Sequence, residues 1–413
     1  MNGKDKIRRN SFSWKGIVAD KNGPACGPGR FLPAVILLVL MAVCLAACGS
    51  KTGGSRPAGL PASKGKMELT YATQFSVDYL EGDYALITIA AAADQDQPDR
   101  FLMVPEGAET PENLDEDIVV IQQPFTSIYL AASSAMDFFR QLDALDAVTM
   151  TSTNRDNWSL PEVQEALDNE EMFYVGKYSA PDYETIVDEN CGLAIESTMI
   201  YHTPAIKEKL ETMGVPVMVE RSSYEAEPMG RMEWIKLYGL LAGKSEEADQ
   251  FFQEQVQLLT DTVKGDSSGK KVGFFSISSA GLISVRKPGD YVSKMIDMAG
   301  GAYVPGAGSV EAEDNALSTM NMNMESFYNE VRDADILIYD STIQGELQTI
   351  DQLIAKNKLF SDFKAVKEGN VWCARADTFQ QVTGLSRMIS EFYQIFHDQV
   401  EEGRELEFMF RLK

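Results

Sequence analysis

The chain has 413 residues, 37 basic against 62 acidic, and a formal net charge of −25 at pH 7. That balance excludes broad binding to nucleic acid and to anionic lipid headgroups, since both partners are themselves negative. Five cysteines without metal-type spacing exclude a disulfide-stapled miniature, and the length suffices for two domains with cores of their own.

In chain order, the first feature is an apolar run, Phe31 to Ala47, flanked by Arg8, Arg9, Lys15 and Arg30 and ending in Leu45-Ala46-Ala47-Cys48. Small residues before a cysteine, followed by the Gly/Ser/Lys/Pro stretch Gly49 to Gly65, resemble the lipobox of bacterial lipoproteins. The resemblance implies a signal peptide over 1–47, diacylglycerol on Cys48 and a flexible linker over 48–66. A transmembrane helix is the alternative, although the run is short and contains Pro33. Diacylation would supply the second acyl chain that stable anchoring needs. Once Cys26, Cys44 and Cys48 are set aside, Cys191 and Cys373 remain. Each sits in an apolar strand-like run, so both are expected as buried free thiols.

The rest alternates strand-like and helix-like stretches, the pattern of α/β lobes with parallel sheets. Tyr84 to Ala91 and Phe101 to Val104 are expected to form a hairpin, Ile118 to Ile121 a buried strand, and Ser127 to Leu142 a helix packed on it. A second unit follows: a strand at Ala147 to Met150, a loop holding Trp158, and a helix opened by Pro161, where the missing N–H costs little. Then come strand-like Phe173 to Gly176, a helix near Pro181 to Asp188, the strand Cys191 to Ile195, the helix Pro204 to Met213 and the strand Val215 to Val219. This first lobe is placed at 67–227. Residues 228–264 read as a helical connection broken only at Leu241 to Lys244, with an apolar stripe of Trp234, Leu237, Leu240 and Leu241. In the second lobe, 265–413, strands are expected at Lys271 to Phe275, Leu282 to Val285, Ile336 to Tyr339 and Val371 to Ala374. Its helices are expected at Asp290 to Met298, stopped by Gly300-Gly301, and at Leu347 to Ala355 and Leu385 to Val400.

Enzymatic signatures are sparse. Two histidines cannot build a His-Glu-x-x-His zinc helix, no Gly-x-Ser-x-Gly elbow occurs, and GAGSVE at Gly306 fails the dinucleotide fingerprint at its third glycine.

Four segments resemble one family, the substrate-binding lipoproteins of ABC importers for ferric siderophores, haem and cobalamin. They are IVVIQQPFTSIYLAASSAMDFFRQLDALDAV (from Ile118), VGKYSAPDYETIVDENCGLAI (from Val175), EPMGRMEWIKLYGLLAGKSEEADQFF (from Glu227), and GDYVSKMIDMAGG (from Gly289) followed by LSTMNMNMESFYNEVRDADILIYD (from Leu317). The resemblance implies the class III periplasmic binding protein fold, two Rossmann-like α/β lobes with central parallel sheets joined by one long helix, with ligand held between the lobes and modest closure. Ligands of open α/β sheets sit beyond the carboxyl ends of the strands. Residues expected at those ends are Gln123, Ser127, Trp158, Tyr201 and His202 in the first lobe, and Ser276, Ser278, Arg286, Asp340, Ser341, Arg375 and Phe379 in the second. Arg286 and Arg375 rank highest, as basic side chains able to meet carboxylate, phosphate or chelate oxygens.

Two arginines favour a ligand of modest charge, a ferric siderophore or similar chelate, with corrinoid or haem as alternatives. His202 beside Tyr201 is a possible haem ligand, or simply a loop hydrogen bonder. Met320, Met322 and Met324 read as adaptable packing. The resemblance further implies docking of Glu184 and Glu325, one on each lobe, onto arginines of a membrane permease with its cytoplasmic ATPase. It implies a monomer outside the cytoplasm, without a resident cofactor and without catalysis. A surface-anchored enzyme or adhesion module on the same scaffold is the alternative of another class.

Overall fold

The computed structural model describes residues 59–92, 95, 97–306, 318–342, 344–401 and 403–413. Cys48 and the proposed leader lie outside the described residues. Among the described residues, no helix is long and apolar enough to cross a membrane.

Five strands come first: β1 (Ser63–Lys66), β2 (Phe75–Leu80), β3 (Ala85–Ile89), β4 (Asp99–Val104) and β5 (Ile118–Gln122), paired in that order. All pairs are antiparallel except β4 with β5. Alternation sorts the side chains. Phe75, Val77, Ile87, Ile89, Phe101 and Met103 face the body of the protein, while Leu80, Leu86, Leu102, Val104 and Ile118 form a separate cluster on the other face. The expected hairpin is present as β3 and β4. The strand at Ile118, however, does not open the first lobe; it closes this preceding sheet.

The first lobe contains a parallel sheet of β6 (Ile128–Leu130), β7 (Val148–Thr151), β8 (Phe173–Tyr174), β11 (Leu193–Ser197) and β12 (Val217–Glu220). Its order is β12-β11-β6-β7-β8, and a small hairpin of β9 (Gly176–Lys177) and β10 (Ala180–Pro181) stands apart. The stretch expected as one helix from Ser127 instead begins with β6, and helix α1 covers only Met136–Gln141. Ile128, Tyr129 and Leu130 are all buried between β7 and β11, a position that suits bulky residues of strand propensity. Helices α2 (Pro161–Asp168), α3 (Tyr183–Asp188) and α4 (Pro204–Thr212) complete the lobe.

The connection comprises α5 (Pro228–Glu233), α6 (Ile235–Leu241) and α7 (Ser245–Thr262). Trp234 keeps helical dihedrals (φ −58°, ψ −20°), so α5 runs on into α6. At Gly243 the backbone takes φ +69°, a conformation glycine adopts without a steric penalty, and α7 packs back on α6. The packing is close: a Cβ on Gly239 would lie 2.4 Å from that of Ala248. The connection is therefore a helical hairpin whose second arm, about 27 Å long at about 1.5 Å per residue, leads into the second lobe. The expected stripe of Trp234, Leu237, Leu240 and Leu241 is buried.

The second lobe is a mixed sheet. Parallel strands β13 (Lys271–Ile277), β15 (Ala302–Val304), β17 (Ile336–Tyr339) and β18 (Val371–Ala374) form its middle. Antiparallel β14 (Ile283–Arg286), β16 (Thr319–Met322) and β19 (Met409–Arg411) extend it on either side. Helices α8 (Tyr291–Met298), α9 (Met324–Val331), α10 (Ile350–Lys356), α11 (Lys364–Lys367) and α12 (Leu385–Phe396) flank it. One apolar cluster runs from Phe75 through Phe138, Trp234 and Phe252 to Val272 and Phe392, crossing from one lobe to the other. Close-packed continuity of this kind resists large hinge motion.

Two carboxylates fasten the first sheet to this body. Glu233 accepts the backbone N–H groups of Thr70, Tyr71 and Ala72 at 2.7–3.0 Å, and Glu225 accepts those of Thr73 and Gln74 at 2.8–2.9 Å. The Trp234 indole also donates to Glu225 (2.9 Å). Both carboxylates are buried, and burying charge is tolerable only when it is paired in this way. Cys191 and Cys373 are buried free thiols as expected, with burial pushing their pKa up to about 11 and about 12.

Candidate functional site

The carboxyl ends of the two sheets meet. Gln380, in the turns after β18, accepts from the Ser159 N–H and donates to the Asn157 carbonyl in the loop after β7, both at 2.8 Å. Nearby, fully buried Asp137 of α1 accepts the backbone N–H and the hydroxyl of Thr383 at 2.8 and 2.7 Å, while Arg140 donates to it from its own lobe. On the connecting side Glu227, just before α5, pairs with Lys294 of α8.

A charged and aromatic cluster lies at the strand ends of the second lobe. Arg286, buried at the end of β14, reaches Asp340 Oδ2 at 3.6 Å and Ser318 Oγ at 3.4 Å. The rings of Phe379 and Tyr291 lie 4.8 and 5.6 Å from its guanidinium carbon. Arg231 of α5 stacks on Tyr291 at 4.1 Å. Burial alone would lower the Arg286 pKa, but Tyr291, Asp290 and Asp340 hold it above the ordinary arginine value. Burial pushes Asp290 up, against the opposing pull of Arg286 and Arg231.

This arrangement brings together Arg286, Asp340, Ser341 and Phe379 of the residues expected from sequence. Ser341 follows Asp340 and donates to the Ala374 carbonyl. Trp158 is buried, its indole donating to the Thr153 carbonyl (3.0 Å). Tyr201 accepts from Arg221 at 3.3 Å, and burial raises its pKa; His202 is exposed at the end of the same turn. Ser276 is buried within β13, and Ser278 accepts from the Leu282 N–H in the following turn.

Three expected placements are corrected. Ser127 stands at the amino end of β6, bonded to Thr149 (3.0 Å), and Gln123 follows β5 and lines a separate cavity of about 650 Å³ with Asp143, Asp146 and Gly243. Both misplacements follow from assigning Ile118–Ile121 to the wrong sheet. Arg375 turns away from this cluster, towards the Phe410 ring (5.3 Å) and the Leu406 carbonyl, and lines a groove of about 770 Å³ at the β19 edge. Arg231 and Tyr291 were missed. The only sequence signal was a lone arginine inside an apolar-striped helix.

Glu184 and Glu325 are exposed in the first turns of α3 and α9, whose caps are Asp182 and Asn323. Met320 and Met322 are buried in an apolar cluster of the second lobe, as expected of packing residues. Among the described residues, no group of three or more His, Cys, Asp or Glu side chains forms a metal site.

No protein-family model matches the chain. Two uncharacterized lipoproteins of Methanocaldococcus jannaschii are similar in sequence. One is 22% identical over 307 residues, 73% of this chain and 72% of the relative. The other is 24% identical over 328 residues, 76% and 80% respectively. Among solved structures, a petrobactin-binding protein from Bacillus subtilis matches with a TM-score of 0.54 at 16% identity, over 75% of this chain and 98% of that one. A periplasmic haem-binding protein of Vibrio cholerae matches with a TM-score of 0.52 at 15% identity, over 65% and 100%. A molybdate periplasmic binding protein of Haemophilus influenzae also gives 0.52, at 13% identity over 68% and 88%. The chain has the two-lobed fold of the class III periplasmic binding proteins.

Proposed function

We propose that this protein is the extracytoplasmic solute-binding component of an ABC importer, anchored through lipid on Cys48, that delivers a ferric siderophore or similar chelate to the permease. The observation that carries the proposal is the cluster at the strand ends of the second lobe, where Arg286, Asp340, Phe379, Tyr291 and Arg231 converge. Guanidinium, carboxylate and aromatic groups in such a place suit a ligand held by the second lobe and the connection, a role of binding and delivery without turnover. The fold shared with petrobactin-, haem- and molybdate-binding proteins and the similarity to archaeal lipoproteins support this reading. In it Trp158, Tyr201 and His202 border the ligand from the first lobe, and Glu184 and Glu325 dock the permease.

Visible absorption spectra of the protein incubated with haem, a cobalamin and several ferric siderophores, with affinities for those that bind, test the proposal. Tight binding of a siderophore is expected. Preferential binding of haem or cobalamin would replace the chelate by a tetrapyrrole, and failure of all three classes would overturn the reading.

A further inference from the structure

We infer that Phe173 and Tyr174 of β8 are the apolar centre of the surface by which the first lobe docks on the importer's permease, which meets them with apolar and basic side chains. The inference rests on the importer reading above and adds an aromatic anchor to its two charged contacts. β8 is the free edge of its sheet, paired with β7 in the register Met150 to Phe173 and Thr151 to Tyr174. Successive residues of a strand point to opposite faces. In β6 and β12 of the same sheet every residue is buried, so both faces are covered there. At β8 neither face is covered, and Phe173 and Tyr174 are 40% and 43% exposed.

An uncovered aromatic pair on an edge strand invites contact with another chain. What surrounds the pair selects that chain. A hollow of about 350 Å³ beside Phe173 and Tyr174 is bordered from α3 and its cap by Asp182, Thr185 and Glu189. Glu170, Glu171, Glu184 and Asp188 are also exposed in this stretch, and Val187 adds apolar surface. From residue 170 to 190 the sole cation is Lys177, while Lys209 of α4 lies over the Tyr183 ring at 3.6 Å. Two identical acidic rims repel each other, which disfavours a second copy of this chain, and the same charge disfavours an anionic bilayer surface. An apolar centre inside an acidic rim complements a protein surface that is apolar in the middle and basic around it. Glu184 stands on α3 next to Thr185 of the hollow, so the expected charge contact and the aromatic anchor share one surface.

The test uses the full-length protein and its importer reconstituted in phosphatidylcholine vesicles. The photo-crosslinker p-benzoylphenylalanine in place of Tyr174 should link to a permease subunit on illumination, and less so at high salt. In the double variant Phe173→Ser with Tyr174→Ser, the concentration giving half-maximal ATPase stimulation should rise at least about tenfold, the scale of losing one interface anchor, with Tm and solute affinity unchanged. Phe173→Leu with Tyr174→Phe should retain most of the stimulation. Should the serine variant fold poorly, the crosslink decides. Crosslinking confined to a second copy, to lipid or to a protein outside the importer, or wild-type stimulation by the serine variant, would overturn the anchor. If the serine variant stimulates normally while lysine at Glu184 and Glu325 abolishes stimulation, docking through charge stands and the anchor falls. If wild type neither stimulates the importer nor crosslinks to it, the importer reading falls and the anchor with it.

Discussion

Glu196 allows a pH-dependent prediction of known sign. It lies on β11, fully buried, and among the described residues neither carboxylate oxygen has a hydrogen-bond partner. Burial pushes the Glu196 pKa from 4.5 up to about 8. The folded state thus prefers the protonated acid. The associated stability is fully present below pH 4.5, declines as pH rises towards 8, and is lost above it. At about 1.4 kcal/mol per pH unit, the loss is about 3 kcal/mol at pH 7 and about 5 kcal/mol at its plateau, as orders of magnitude. Glu196→Gln keeps the shape and removes the titration, so other ionisable groups cancel in the comparison. Urea unfolding at pH 5, 7 and 9 should show the variant gaining on wild type by several kcal/mol between the lowest and the highest pH. Parallel pH profiles, or a larger deficit of the variant at pH 9, would refute the assignment of a buried, desolvated acid.

Other expectations follow from single contacts. Glu233→Ala strips the acceptor from three backbone N–H groups and should cost about 2–4 kcal/mol, with hydrogen exchange rising first over residues 70–72. Gly239→Ala drives a methyl to 2.4 Å from the Ala248 Cβ and 2.9 Å from the Lys244 carbonyl, and should destabilise by about 1–3 kcal/mol in chemical denaturation. Cys48→Ser should abolish incorporation of a labelled fatty acid; undiminished label would place the anchor elsewhere. Replacing Glu184 and Glu325 together with lysine should leave folding and ligand affinity intact but abolish stimulation of the reconstituted importer's ATPase. Normal stimulation would reduce both residues to favourable charges at helix N-termini.

Local physics made much of the architecture readable in the sequence. The stripe of Trp234, Leu237, Leu240 and Leu241 has helical spacing and is buried, while Pro161 and Pro204 open helices where a missing N–H costs little. Tertiary pairing decided what local pattern leaves open. Ile118–Ile121 reads as a buried strand in either sheet, and pairing with β4 rather than β6 moved Gln123 and Ser127 out of the cleft. Arginine at a strand end has a long, flexible side chain, so its position does not fix its direction: Arg286 turned inward under Phe379, whereas Arg375 turned to Phe410. Arg231 entered the cluster because α5 packs on α8 across the lobes, 60 residues away along the chain (231 to 291). Periodicity carries information over a few turns of one element; a site assembled from several elements depends on how they pack, and only the folded structure holds that information.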